Sequence, residues 1–311
     1  MKILVYGAGV IGSYLAHTLI NSGNEVTVLA RGNRFKQLNE DGLKIEHYFQ
    51  KKVTVDSPKI ITTLPKEEYY DVIFVVMKYN QFFTVFDSLS ENISENIVFV
   101  GNNANPKKME RELKIMAREK NIGFGFQTSA GKRLDTGEII SIHGKGNFTF
   151  GVLDNNTNLI NLIKRVFNDV YKVKIEKDIE SWLLTHFVII GSQNAILQIN
   201  NYDHINLSKN KMELWKMVNS TKEGLDILKL NNINFTPYIL GMSIKRFKFI
   251  YYFAMKLYFK LPMNNFVAGG FDEIIALYQE FDKFLKKDFK LHGHWDKLKN
   301  DSIKNYSNKE N

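Results

Sequence analysis

KILVYGAGVIGSYLA, residues 2–16, is the stretch on which the reading of this chain turns. An apolar run, Ile3 to Tyr6, breaks at Gly7, and Gly7, Gly9 and Gly12 follow in the order G-x-G-x-x-G before a helical pattern begins. In such a turn the first glycine lets the chain leave the strand tightly. The second lets a pyrophosphate reach the backbone, and the third lets the helix pack close to the sheet. The backbone from Gly7 through Ala8, Gly9, Val10 and Ile11 to Gly12 would then face phosphate oxygens, aided by free N–H groups and the positive end of the helix dipole. A lone G-x-G-x-x-G is a weak signal, because glycine is common and turns need it. Here a strand precedes it, a helix follows, and a second strand, Glu25 to Leu29, comes at the βαβ distance, so dinucleotide binding is predicted.

At 311 residues the chain exceeds the usual reach of one hydrophobic core, so two domains are expected. With 44% hydrophobic and 13% aromatic residues it can fill both, which excludes a disordered chain. It has no cysteine, so disulfides, thiolate catalysis and cysteine-based metal sites are excluded, a reducing compartment is suited, and no metal site is predicted. The start, MKILVYGAG, reads as a nucleotide-binding strand rather than a signal peptide. No uninterrupted apolar run reaches about 18 residues, so a cytoplasmic protein with no membrane partner is expected. The formal charge of +9 invites a nucleic-acid reading. Yet the lysines are spread out and mixed with acids, as in KEEYYD and KKMERELK, which favours a solvated surface and no nucleic-acid partner. Attraction of an anionic cofactor and an acidic substrate is a third use of the same charge.

After the glycine turn, residues 11–22 predict a helix ended by Ser22, Gly23 and Asn24. The adenosine ribose should lie at the end of the strand Glu25 to Leu29. An NAD-preferring site would want a carboxylate there. The chain instead reads Ala30, Arg31, Gly32, Asn33, Arg34, with Lys36 beyond. Two arginines and no acid suit a ribose 2′-phosphate, because guanidinium is a permanent, fork-shaped donor, so NADP(H) is predicted over NAD(H). The alternative is ordinary surface arginine. Short β pieces over 42–62 lead to Asp71 to Met77, DVIFVVM, apolar and β-branched as a parallel strand covered on both faces should be. Lys78, Tyr79, Asn80 and Gln81 follow it. A further strand, Asn96 to Val100, runs into Gly101, Asn102, Asn103, Ala104 and Asn105, with a helix from near Pro106. Both loops leave the carboxyl ends of strands, where ligands bind in open α/β sheets, so Lys78 and Asn102 are functional candidates as well as turn formers.

Residues 122–151 predict glycine-separated strands with a hairpin over His143 to Gly146, then a helix from Leu159 to Asp169 and a strand from Val170 to Ile175. Helical periodicity takes over at Ile179 to Leu197, Lys209 to Leu230 and Phe271 to Lys287. Tyr251 to Phe259, YYFAMKLYF, is too short to span a bilayer and reads as core or a subunit contact, which leaves a homodimer possible. The expected organisation is an α/β Rossmann-type NADP-binding domain over residues 1–175 and an all-α domain over 176–300 for substrate binding or dimerisation. A Lys-, Asn- and Ser-rich tail, 301–311, should fray.

The order of these features resembles the ketopantoate reductase family over nearly the whole chain. GAGVIGSYLA, LARG at the second strand, MKYNQ, the Asn102 loop and GKRLDTGEIISIHGKGNFTFG carry the resemblance in the first half. STKEGLDILKLNNI and FVAGGFDEI, similar to the family's Glu-containing and substrate-side helices, carry it in the second. It implies an NADPH-dependent reduction of 2-dehydropantoate to pantoate on the route to coenzyme A, with substrate in a cleft between a Rossmann-type domain and a helical one. It also implies that Gly7, Gly9 and Gly12 cradle the pyrophosphate and Arg31 pairs with the 2′-phosphate. Lys78, Gln81 and Asn102 would sit near cofactor or substrate, and Glu273 matches an acidic active-site residue.

The family's proton donor is a lysine on the first long helix of the helical domain, followed by asparagines one and two turns later. On Trp182 to Leu197, WLLTHFVIIGSQNAIL, these positions fall on Leu183, Phe187 and Gly191, and no shift restores a lysine. His186, Gln193 and Asn194, at i, i+7 and i+8, form another polar set close to one face. Histidine can donate a proton near neutral pH, so His186 is an adequate substitute; a core histidine with one hydrogen bond is the bland alternative. Lys78 is a second candidate donor. Where the family has serine before the acidic residue, this chain reads Lys260, Leu261, Pro262, Met263, Asn264, Asn265, and Asn264, Asn265 or Lys260 could hold a carboxylate. The expected activity is reduction of a small 2-oxo acid, ketopantoate or a divergent one, with a non-catalytic NADP(H) sensor or regulator as the rival.

Overall fold

The computed structural model describes residues 1–143, 146–266, 270–284 and 293–310. The chain divides into two compact units. Met1–Gly101 and Pro106–Ile179 form one; Asn102–Asn105, Glu180–Asn265 and the C-terminal helices form the other. The structure therefore divides at Ile179 rather than at residue 175, and the loop Asn102–Asn105 goes with the helices.

The N-terminal unit runs β1 (Lys2–Tyr6), α1 (Val10–Asn21), β2 (Glu25–Leu29), α2 (Gly32–Asp41), β3 (Leu43–His47), β4 (Lys52–Asp56), β5 (Lys59–Ile61) and β6 (Val72–Val76). It continues through α3 (Phe86–Glu91), β7 (Asn96–Val100), α4 (Pro106–Met116), β8 (Asn121–Gln127), β9 (Ala130–Arg133), β10 (Ile139–Ile142), β11 (Phe148–Val152), α5 (Thr157–Phe167) and β12 (Val173–Ile175). The main sheet has the order β12-β11-β8-β7-β6-β1-β2-β5. Its central strands β2, β1, β6, β7 and β8 are parallel, and β11 is antiparallel to β8. All five residues of β6 are buried, as expected of a strand covered on both faces. The alternation in IGFGF on β8 has a packing cause. A side chain at Gly123 would meet the Phe150 ring at 2.5 Å, and one at Gly125 the Phe148 ring at 2.4 Å.

A second, four-stranded sheet has the order β4-β3-β10-β9. The hairpin predicted at His143 to Gly146 is corrected here. Gly144 and Lys145 lie outside the described residues, but β10 and β11 on either side of them belong to different sheets. The hairpin is instead β9–β10, pairing Arg133 with Ile139, and its turn is closed by bonds from the Leu134 N–H to the Glu138 carbonyl and from the Gly137 N–H to the Leu134 carbonyl.

The second unit is helical throughout its described residues: α6 (Ile179–Ile199), α7 (His204–Lys209), α8 (Lys211–Leu230), α9 (Tyr238–Arg246), α10 (Lys248–Tyr258), α11 (Phe271–Phe281) and α12 (His294–Glu310). Asp203 and Asn210 cap α7 and α8 by accepting from the Asn206 and Glu213 N–H groups. α6 is long and apolar enough to cross a membrane, yet 61% of its apolar window is buried inside the chain, as in a core helix. Its Phe187 ring lies edge-on to Tyr278 (5.4 Å), Phe281 (5.4 Å) and Trp295 (6.0 Å). The predicted helix from Phe271 ends as α11 at Phe281, and Leu285–Lys287 lie outside the described residues. The tail expected to fray is helical, because α12 buries Trp295, Leu298 and Ser302 and is capped from another helix. Glu223 on α8 accepts from the Gly293 and Trp295 N–H groups, 2.9 and 2.7 Å, placing a carboxylate at the positive end of α12. The Glu-containing helix singled out in the sequence thus uses its buried acid as a helix cap.

Three histidines join α1 to the small sheet. His17 and His47 ring centres are 5.0 Å apart, His47 and His143 5.4 Å, and Tyr14 lies 4.1 Å from His143. His17 Nδ1 is 2.7 Å from Asp56 Oδ2, and His47 Nε2 bonds the Thr54 hydroxyl at 2.8 Å. Among the described residues no group of His, Asp or Glu is arranged to hold a metal. Burial first, then the neighbouring His17 and Lys52, push His47 and His143 down to about 4; His143 also acts on His47, with Asp56 opposing. The folded state therefore binds fewer protons than the unfolded chain between the ordinary histidine value and about 4. Stability should be full above pH ~6.5 and fall as pH drops through that window, by a few kcal/mol in total. Urea midpoints should fall between pH 7.5 and 5, and His47→Gln should narrow that gap; an unchanged gap would remove His47 from the effect.

Candidate cofactor-binding site

The carboxyl end of β1 turns at Gly7 with φ +120°, and the Gly7 N–H bonds the Leu29 carbonyl of β2 at 3.1 Å. A Cβ at Gly7 would stand 2.3 Å from the Val76 carbonyl oxygen of β6, and one at Gly12 would stand 1.9 Å from the Gly7 carbonyl oxygen. Both glycines are thus demanded by the protein's own backbone. Gly9 differs: a Cβ there would have no atom within 4 Å. Nothing in the chain excludes a side chain at Gly9, so the open space suits an outside group that comes close. Gly9 is the N-cap of α1 and supplies no side-chain acceptor, so the first N–H groups of the helix face that space. The turn fits a dinucleotide's phosphates.

Arg31 and Arg34 separate into two roles. Arg31, exposed at the N-cap of α2, donates to the Tyr6 hydroxyl at 2.6 Å, with its guanidinium carbon 5.7 Å from that ring's centre. Tyr6 is the last residue of β1, so it holds an accessible cation beside the glycine turn. Arg34 is buried. Its Nε donates to the Ala8 carbonyl (3.0 Å), Nη1 to the Gly137 carbonyl (2.6 Å) and Nη2 to the Ser13 hydroxyl (3.1 Å). Burial, and then the Arg133 charge, pull it down to about 10, which leaves it charged at neutral pH. Arg34 is therefore a brace between the glycine turn and the β9–β10 turn. Sequence could not separate the two arginines, because both stand in the same short loop and only burial distinguishes them. Lys36 is exposed. Lys78 is half-buried as the N-cap of the 3₁₀ turn after β6, and Gln81 is exposed on that turn.

The remaining candidates lie in the helical unit. Asn102 is half-buried with an Oδ1 that is buried and has no hydrogen-bond partner, the kind of polar atom that awaits a ligand. Nearby Asn105 Nδ2 donates to Glu280 Oε1 at 2.9 Å. On α6, Leu183 and Phe187 are core, so the positions of the family's lysine and first asparagine face inward. His186, Gln193 and Asn194 are half-buried with Trp182, Ile189 and Ile190, on the less covered side of the helix. His186 stacks on Trp182 at 5.3 Å and 7°, and burial pushes its imidazole down to about 4. Gln193 Nε2 donates to Met255 Sδ at 3.2 Å, and Asn194 Nδ2 to the Ile190 carbonyl at 2.8 Å. Glu273 is half-buried in the first turn of α11. Asn264 is only 1% exposed, and its Nδ2 donates to the Tyr258 carbonyl at 2.6 Å, so it closes the end of α10 instead of facing outward to a substrate. Lys260 is exposed; the Asn265 side chain and Val267–Gly269 lie outside the described residues.

Residues 3–155 match the family model for ketopantoate reductase PanE/ApbA. The 2-dehydropantoate 2-reductase of Pyrococcus horikoshii is 25% identical over 237 residues, 76% of each protein. Among solved structures, D-mandelate dehydrogenase with NADH and anilino(oxo)acetate superposes with a TM-score of 0.78 at 16% identity, covering 99% of each chain. The probable 2-dehydropantoate 2-reductase panE from Bacillus subtilis gives 0.71 at 18%, covering 98% of this chain and 100% of that one. At these identities the structures establish the fold. Residues 3–155 thus match the ketopantoate reductase family, as the motifs there indicate, in a divergent sequence.

The three glycines should separate in the laboratory. Gly12→Ala should lower stability by at least ~2 kcal/mol, since backbone must move to admit the methyl group. Gly9→Ala should leave the thermal midpoint within a degree or two and weaken dinucleotide binding, read by fluorescence titration with NADPH. Equal effects of the two changes on stability would remove Gly9 from the ligand-facing role.

Proposed function

We propose that this family member is an NADPH-dependent reductase that converts a small 2-oxo acid to the 2-hydroxy acid. 2-Dehydropantoate, reduced to pantoate in pantothenate and coenzyme A biosynthesis, is the leading substrate. The observation that carries the reading is the open glycine turn at Gly9, with the accessible Arg31 held beside it on Tyr6. The turn from Gly7 to Gly12 would take the pyrophosphate. Arg31 would take the 2′-phosphate, with no carboxylate after β2 to favour NADH. When bound, NADPH supplies the hydride. The chain's part is to orient the 2-oxo acid and to place a proton at the oxygen that becomes hydroxyl.

His186 is the proposed donor on α6, supported by its place with Gln193 and Asn194 on the less buried side. Its burial keeps the ring neutral near pH 7, so it acts first as an N–H hydrogen-bond donor. Full proton transfer then depends on the charge developing on the substrate oxygen. Lys78 is the alternate donor, Glu273 a further acidic group of the site, and Asn102, with its orphaned Oδ1, a substrate or cofactor ligand. Gln193 and Asn194 would complete the polar set; Asn264, turned inward, is the weakest substrate candidate. A cytoplasmic location and a homodimer complete the reading.

The replacement of the family lysine by core Leu183 favours a second reading, a reductase of a different 2-oxo acid. A non-catalytic NADP(H) sensor is the reading from another class. Steady-state NADPH oxidation with ketopantoate and a panel of 2-oxo acids separates the three, and tight NADPH binding without turnover on any acid would favour the sensor.

Arg31→Ala should weaken NADPH by roughly 10- to 100-fold and NADH much less, the loss of one charge-assisted contact. An equal loss for both nucleotides would take Arg31 out of that role. His186→Gln should lower kcat at least about tenfold with NADPH affinity nearly intact. If kcat is unchanged in that variant but collapses in Lys78→Met, the donor is Lys78.

A further inference from the structure

The β9–β10 hairpin belongs to the small sheet but is pinned beside the glycine turn at two points. Where β9 crosses α1, a Cβ at Gly131 would stand 3.1 Å from Cγ1 of Val10, the first residue of that helix. At its turn the hairpin is fastened to α2. Arg34 Nη1 donates to the Gly137 carbonyl at 2.6 Å, and Gln37 Nε2 to the Asp135 carbonyl at 2.8 Å. Between these pins stands Arg133, the last residue of β9, paired with Ile139 across the ladder. Arg133 is exposed, and after burial its charge is what pulls the Arg34 guanidinium down, so the two guanidinium groups lie close to each other. Successive side chains of a strand alternate, which turns Lys132 to the other side.

This positive charge is not balanced from within the chain. Among the described residues the Arg133 guanidinium has no ion pair and no hydrogen bond. Of the two acids in the turn, Glu138 pairs with Lys44 at 3.2 Å, and Asp135 pairs with no cation among the described residues. The first turn of α2 holds no acid either. Gathering Arg31, Arg34 and Arg133 around one turn costs repulsion that an anion from outside would relieve. A dinucleotide cofactor brings phosphate at two places, and position separates them. The pyrophosphate belongs to the N–H groups at Gly9. The hairpin is fastened instead to α2, whose N-cap is Arg31, the place of the ribose 2′-phosphate on the reading above. A phosphate monoester carries about −1.5 to −2 charges at pH 7, more than one guanidinium balances.

We propose that Arg133 is a second guanidinium for the 2′-phosphate of NADP(H), reaching it from the β9–β10 hairpin while Arg31 reaches it from α2. This rests on the NADP(H) reading and deepens it: two separate elements, rather than the loop after β2 alone, choose the cofactor. Guanidinium suits the task because its planar fork gives two parallel N–H bonds to one phosphate. NADH has no group at that place and leaves Arg133 in water. The 2′-phosphate would also tie the hairpin to α2 once more, so the hairpin should open less often with NADPH bound than with NADH.

Calorimetric titration of the full chain with each nucleotide tests this. Arg133→Ala should weaken NADPH about tenfold and NADH less than about twofold, with an unchanged thermal midpoint because the residue is exposed. Arg133→Lys should recover part of the loss, since it keeps the charge without the fork. Lys132→Ala removes the same charge one residue away and should leave the ratio of the two affinities within about twofold of wild type. Amide exchange over Arg133 to Ile139 should be slower at saturation with NADPH than with NADH, and that difference should vanish in Arg133→Ala. Unchanged NADPH affinity in Arg133→Ala overturns the inference. So does an equal loss for both nucleotides, which would move Arg133 to the pyrophosphate, or a matching loss in Lys132→Ala, which would leave only a general field. A wild type that binds NADH as tightly as NADPH sinks the NADP(H) reading itself; a preference for NADPH that survives Arg133→Ala sinks this inference alone.

Discussion

Helix α1 approaches its own preceding turn so closely that no side chain fits between them. Gly12 sits against the carbonyl of Gly7, and Gly7 sits under the carbonyl of Val76 on the neighbouring strand. With these two contacts fixed, the first N–H groups of α1 point over the carboxyl end of β1, and the space at Gly9 follows as a by-product of packing around it. The turn is then tied outward. The Ala8 carbonyl accepts from buried Arg34, and the same guanidinium donates to the Gly137 carbonyl in the hairpin of the second sheet. Burying a guanidinium is costly, but three acceptors satisfy it, and removing any of them would strand charge in the interior. The geometry of the glycine turn thus rests on one steric constraint and one buried cation.

The steric constraint was readable from sequence because it forbids. Only glycine fits at positions 7 and 12, so the pattern itself carries the geometry. The strands β2, β6 and β7 were equally legible, since their burial on both faces leaves an apolar run with little room for ambiguity. Arg34 was not legible as a brace. Its partners are two backbone carbonyls and a hydroxyl, and a carbonyl has no sequence signature. The same reason hid the roles of Glu223 and Asn264, whose partners are main-chain groups of α12 and α10.

The errors in the helical unit have a common physical source. Composition suggests solvent exposure for the last residues, yet Trp295 and Leu298 anchor that segment, and a carboxylate from α8 caps its first turn. A few apolar residues and one cap outweigh a polar average, because helix formation near an anchored end no longer has to pay for its own nucleus. YYFAMKLYF, which reads as core or a subunit contact, is divided: Tyr251, Tyr252 and Phe259 are buried while Phe253 and Leu257 face out. Periodicity over nine residues, rather than mean hydropathy, separates the two sides.

Helix α6 shows how far family positions can be carried. Leu183 is buried, where a lysine would bury a charge, and Phe187 packs among Tyr278, Phe281 and Trp295, where an asparagine would bury an amide beside rings that offer few acceptors. This side of the helix has been committed to the core. His186 and Gln193 stand on the side shared with Trp182 and Ile189, and half-buried Asn194 lies further along the helix. Once Trp182 stacks on His186, the ring sits in a desolvated place that favours its neutral form. A lysine's standing charge draws a carboxylate by itself; a neutral imidazole does not. On the proposed reading of His186 as donor, a helix that exchanges one for the other must obtain that attraction from another cation, so the substitution at α6 would constrain the acid that can be held as much as the proton that can be given.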